Sequence, residues 1–299
     1  MSVVLRPLPQ ATIDHVKQMI ENKEKYQILS LGGGVQSSAL WLMNMMGLIE
    51  PRAEFAIFAD TMWERQGTYD YLDYLDEQAE QFGFPPIMRV SAGNIRDDMV
   101  NDDSAQHQHM PFYTDSGSKG GGMLNRQCSG IYKISVVKRE VRRIFGMKKR
   151  VQWIGFSMDE LSRRNDENFP QYIQPRYPLL DMRWDRDACY KWYKDNDHPI
   201  PIKTSCVGCP FRSDGEWWDM RVNHPEEWKE ACDFDNEVRP KHCNRPRVKQ
   251  LQLEMFPDDV EPPSFELFIH RSISPLETAK LNASCRDGDQ IECGGGCHI

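Results

Sequence analysis

The sequence predicts an α/β protein whose parallel sheet is flanked by helices, with a cysteine-rich, mostly helical region after it. Three observations lead there. Short apolar runs alternate with helix-length segments through the first half of the chain, the pattern of βαβ units. Glycine and polar residues collect where each run ends, as they do at the carboxyl ends of strands in open α/β sheets. Beyond about residue 180 the text changes to segments rich in Trp, Cys and Pro, so the expected division is a core over 1–180 and a cysteine-bearing region over 181–299.

The elements follow in order. Tyr26 to Leu31 (YQILSL) reads as a buried strand, three glycines as a tight loop, and 35–46 as a buried helix. Residues 53–59 (AEFAIFA) form a second apolar run ending at Asp60, and 67–82 carry tyrosines and leucines at helical spacing. A third strand is expected over 86–90 and a helix over 134–145. A fourth strand over 150–156 (RVQWIGF) ends in Ser157, Asp159 and Glu160. Residues 94–125, with SGSKGGGM, read either as a loop over a site or as simple disorder. Residues 241–263 read as an irregular connection, and the tail CGGGCHI is too glycine-rich to pack by itself.

Composition narrows the function classes. A hydrophobic fraction of 39% suffices for a packed interior, and no run approaches the roughly 18 apolar residues of a membrane span, so a soluble protein with no membrane partner is expected. The first fifteen residues carry one Arg, an early Pro-Leu-Pro and no apolar stretch, which points to the cytoplasm. Nine cysteines in a reducing compartment favour metal or redox chemistry over disulfides. A net charge of −8 argues against a protein that binds DNA by coating it with cations. The basic stretch over 133–150 is a local exception, read as a solvated helix face or as a surface for an anionic substrate or nucleic acid.

A glycine-rich turn between strand and helix allows close approach of a phosphate, which free amides and the helix dipole attract. Ser30, Gly32, Gly33, Gly34, Gln36, Ser37 and Ser38 fit that need, although the loop is neither GxxxxGK[ST] nor GxGxxG. SLGGGVQSSAL resembles the pyrophosphate-binding (PP) loop of the adenine nucleotide alpha-hydrolase superfamily, and more closely its PAPS reductase-like branch. FADTMWERQGTYDYL, RQCSGIYKISVVKR, IGFSMDELSRR and CVGCPFRSDGEWW resemble further segments of that branch, in order. The resemblance implies a Rossmann-like (HUP-type) sheet that binds ATP, or PAPS, with Mg2+. It implies phosphate or sulfate at Gly33, Gly34, Gln36, Ser37 and Ser38, Asp60 and Asp159 near the nucleotide, and Arg163 and Arg164 neutralising the leaving group. Val35-Gln36 stands where typical ATP pyrophosphatases have an acidic or lysine-containing loop.

Cys206 and Cys209 form CxxC before Pro210, and Cys189 precedes Cys206 with sixteen residues between, a spacing at which thiolates converge on zinc or on an iron–sulfur cluster. The resemblance favours a [4Fe–4S] cluster, with zinc as the alternative and Cys128, Cys293 or Cys297 as further ligand. Cys128, Cys293, Cys297 and Arg163 are the catalytic candidates, because a thiolate attacks a sulfonyl group or carries sulfur. Cys232, Cys243 and Cys285 read as packing thiols, His107 and His109 as incidental, and Trp217, Trp218 and Trp228 as core. Three functions follow from the resemblance. One is an ATP-dependent nucleotide-activating enzyme that adenylylates an acceptor and transfers sulfur, with nucleic acid as an acceptor reached through a partner protein. The others are a PAPS or adenylylsulfate reductase and a non-catalytic nucleotide-sensing subunit.

Overall fold

The computed structural model describes residues 9–101, 110–115, 122–239 and 266–281. In chain order the elements are α1 (Gln10–Ile20), β1 (Tyr26–Leu31), α2 (Val35–Met45), β2 (Phe55–Asp60), α3 (Gln66–Gln81), β3 (Met88–Ser91), α4 (Ile95–Val100), β4 (Tyr113–Thr114) and β5 (Gly122–Met123). A π-helical turn (Ser129–Ile134) then leads into α5 (Ser135–Phe145), followed by β6 (Arg150–Ile154), β7 (Ile173–Arg176), α6 (Pro178–Asp181), α7 (Arg186–Asp195), α8 (Asp214–Asn223), α9 (Pro225–Val238) and β8 (Leu267–Phe268). The chain forms two compact units. One comprises residues up to Gly93 with Ser129–Thr204, and the other Asn94–Cys128 with the described residues from Ser205 on. The division expected near residue 180 is therefore drawn elsewhere: α7 packs into the first unit, and residues 94–128 leave it for the second.

The first unit is a five-stranded, wholly parallel sheet in the order β3-β2-β1-β6-β7. Strands buried on both faces need apolar residues throughout, and β1 and β2 are buried at every position. Alternate residues serve opposite layers. Tyr26, Ile28, Phe55 and Ile57 pack with Ile13 and Val16 of α1 and Val136 and Val141 of α5. Leu29, Leu31, Ala56 and Phe58 pack with Leu40 and Trp41 of α2, Leu72 and Leu75 of α3 and Tyr193 of α7. Strand order reverses between β1 and β6, and an open α/β sheet has its crevice at such a point, outside the carboxyl ends of the strands.

The second unit carries a three-stranded antiparallel sheet in the order β5-β4-β8, with α8 and α9. Residues 94–125 thus hold α4, β4 and β5 in place of the continuous loop expected; 102–109, with His107 and His109, lie outside the described residues. Two elements of the first unit were not anticipated. Helix α1 follows the early prolines, and β7 contains Pro175, which an edge strand tolerates because one of its sides needs no ladder donor. Trp217 is buried, whereas Trp218 is 42% exposed, so only the former belongs to the core.

Candidate functional site

The glycine loop joins β1 to α2 at the strand-order reversal. Gly33 has φ +74°, a conformation that side chains rarely adopt, and a Cβ there would lie 3.2 Å from Thr204 and 3.4 Å from Phe58. Gly155, just past β6, leaves room for the loop from the other side: a Cβ there would stand 3.0 Å from the Ser37 Cα. The Ser37 hydroxyl accepts from the Gly32 amide at 3.0 Å, so it braces the turn. Ser30 accepts from Gln152 Nε2 at 2.7 Å inside the sheet, which commits it to structure. The Ser38 hydroxyl is buried without a hydrogen-bond partner.

Beyond β2 lies a node of ionisable side chains. Asp60 Oδ1 accepts from the Met62 amide at 2.7 Å and from the Tyr69 hydroxyl at 2.9 Å. Burial raises the pKa of Asp60, and the neighbouring Glu64 charge adds to that, while the two hydrogen bonds and Lys133 work against it. Glu64 Oε1 accepts from Lys133 Nζ at 3.0 Å and from the Thr61 hydroxyl at 3.1 Å. The Glu64 side chain is wholly buried, and its Oε2 has no hydrogen-bond partner; neither has the Thr68 hydroxyl. The Thr68 methyl lies 3.5 Å from the Cβ position of Gly33, which sets the start of α3 against the loop.

The end of β6 supplies the third wall. Gln36 Nε2 donates to Glu160 Oε2 at 3.2 Å and lies 3.4 Å from the Ser157 hydroxyl. Glu160 Oε1 takes Arg163 Nη1 at 2.5 Å, and burial raises the Glu160 carboxyl above its usual range despite that arginine. Asp159 accepts from Ser157 and from the Arg186 amide. Arg164 is exposed and pairs with Asp166 at 2.6 Å, so of the two arginines it is Arg163 that shares a carboxylate with Gln36.

In the second unit, Cys206 and Cys209 bracket one turn, closed by the Cys209 amide donating to the Cys206 carbonyl at 3.1 Å. The buried Arg212 holds that turn, its Nη2 donating to Ser205 Oγ and the Cys206 carbonyl at 2.9 Å while its guanidinium stacks 5.1 Å from the Trp217 ring centre. Asp214 follows, accepting from Arg271 at 2.9 Å and meeting His270 Nε2 at 3.2 Å. Since the Ser272 amide donates to His270 Nδ1, the ring proton sits on Nε2. Burial opposes the Asp214 charge, yet Arg271 and His270 hold the carboxyl below its ordinary range.

The remaining cysteines separate. Cys128 is partly exposed. Cys189 lies in the core of the first unit, where burial pushes its thiol up to about 12, the environment of a packing residue. Cys232 is buried as expected and is also pushed up to about 12. Cys243, Cys285, Cys293 and Cys297 lie outside the described residues. Among the described residues, no three His, Cys, Asp or Glu side chains converge as a metal site. Cys189 thus packs as a core residue of the first unit, while Cys206 and Cys209 share one turn of the second.

No protein-family model matches the chain, and no curated protein does. Among solved structures, the chain is similar to phosphoadenylyl-sulfate (PAPS) reductase from Candida auris in complex with phosphate, at 15% identity and a TM-score of 0.35, over 66% of this chain and 92% of that one. No described helix is long and apolar enough to cross a membrane.

Glu64, Thr68 and Arg212 were not singled out from the sequence, and Glu160 was named only as one of the polar residues that end the fourth strand. For Glu64 a signal was present, an acidic residue four positions past the strand-ending Asp60. The others show their roles only once burial removes water from their partners.

Proposed function

We propose that the chain is an enzyme that binds an adenine nucleotide at the loop between β1 and α2 and uses it for sulfur-handling group transfer. The observation that carries this reading is a set of three buried polar atoms without partners, Ser38 Oγ, Thr68 Oγ1 and Glu64 Oε2, beside a glycine turn at the strand-order reversal. Buried polar groups in folded proteins are nearly always satisfied, so three orphans in the segments that follow β1 and β2 mark places where water or ligand completes the bonding. Amides at the start of α2 suit phosphate. Gln36, held by Glu160, and Arg163 on the same carboxylate face the charge that develops when a pyrophosphate leaves.

In the leading reading an acceptor oxygen attacks the α-phosphorus of ATP, the bond to pyrophosphate breaks, and a sulfur nucleophile then displaces AMP from the adenylylated acceptor. The pair Cys206 and Cys209, with ligands from elsewhere in the chain, anchors a metal centre or handles sulfur. A second reading is favoured by Val35-Gln36, which gives the loop neither acid nor lysine: a reductase in which a thiolate attacks the sulfonyl sulfur of PAPS, releasing the nucleotide, and a second thiol then frees sulfite. Parallel assays separate them. ATP-dependent pyrophosphate release, lost in Gln36→Ala, is expected; sulfite release from PAPS without ATP would replace the first reading by the second, and no turnover with either would sink both.

A further inference from the structure

The node beyond β2 has a charge pattern that does not suit an anion alone. Asp60 and Glu64 are both buried, and among the charges that act on Asp60 are Glu64, which repels, and Lys133, which attracts. Two carboxylates thus lie within reach of each other's charge at the end of the strand that neighbours the one leading into the glycine loop. A polyphosphate entering there is repelled across a medium of low dielectric unless a cation comes with it. Glu64 is also held unevenly: Lys133 and Thr61 both bind Oε1, and Oε2 is left buried and unpartnered. Both bonds to Asp60 go to Oδ1 in the same one-sided way. The glycine loop, from Gly32 to Ser38, brings no carboxylate of its own.

Mg2+ is commonly held through one or two carboxylates and the phosphates of its substrate, keeping several waters, in contrast to a full cage of protein ligands. The carboxylate pair matches that donor set. We propose that Glu64 Oε2, with Asp60, receives a divalent cation of the Mg2+ class that arrives with the nucleotide phosphates. The inference rests on the nucleotide reading above and makes Glu64 a residue that separates metal-dependent nucleotide chemistry from metal-free chemistry.

Equilibrium binding of α,β-methylene-ATP, which resists cleavage at the α-phosphate, tests it when measured with Mn2+ and with EDTA on wild type, Glu64→Gln and Glu64→Asp. In wild type, Mn2+ raises affinity by about tenfold or more, the scale on which even the outer partners of a metal matter. Glu64→Gln loses that gain while its affinity in EDTA equals or exceeds that of wild type, because a repelling charge is gone. Glu64→Asp keeps part of the gain. Equal losses for Glu64→Gln in Mn2+ and in EDTA would make Oε2 an acceptor for the nucleotide itself and overturn the metal site, as would identical wild-type affinity in both conditions; either leaves the nucleotide reading standing. No binding under any condition removes both. Asp60→Asn, read the same way, serves if Glu64→Gln fails to fold.

Discussion

Asp60 is more costly to ionise in the folded chain than in water, because burial and the Glu64 charge raise its pKa. An acid whose folded pKa exceeds its unfolded value of about 3.8 binds protons more tightly when folded, so its ionisation removes stability as pH rises through the window from that value to the raised one. Asp60→Asn is therefore expected to be more stable than wild type at pH 7, with the difference shrinking as pH falls towards 4. Denaturant titrations at several pH values check this, and a constant difference would mean that the hydrogen bonds from Met62 and Tyr69 dominate. Gly33→Ala is expected to cost about 1 to 2 kcal/mol from its left-handed backbone alone, with the 3.2 Å approach to Thr204 adding to it. Nucleotide affinity should fall with it, since the same turn aims the amides.

At the scale of elements, the turn of Cys206 and Cys209 shows what spacing announces and what it leaves silent. CxxC was plain in the sequence; its anchor was not, because Arg212 looks like any surface arginine until its guanidinium is seen buried against Trp217 and two carbonyls. Arg212→Met should strand those carbonyls and lower stability by about 1 to 3 kcal/mol, with Arg212→Lys failing to rescue because an ammonium lacks the planar fork. Thermal unfolding of both variants decides it. The same contrast runs through the fold. Strands β1, β2 and β6 were legible because burial on both faces forces unbroken apolar runs, and the glycine loop because only glycine meets its geometry. The edge strand β7 and helix α1 were not, since proline in or before them carried the signal of irregular chain. The core position of Cys189 was not legible either, because spacing along the chain says nothing about the sheet face on which a helix lands.

For the molecule as a whole, burial sorts the described thiols into classes. In a buffer containing EDTA, iodoacetamide should modify Cys206 and Cys209 in the native protein well before Cys189 and Cys232, which react only on unfolding, as peptide mass spectrometry would show. Equal rates for Cys189 would contradict its place in the core. The sheet order carries a consequence for biosynthesis. Strand β1 lies between β2, its neighbour in sequence, and β6, whose residues 150–154 pair with residues 26–30. On the ribosome, the glycine loop must wait for more than a hundred further residues before its second wall emerges, and closing so long a loop is slow. Until then half of the central strand has no partner, so a nascent chain stalled before residue 150 is the form of this protein most exposed to misassembly and most dependent on a chaperone.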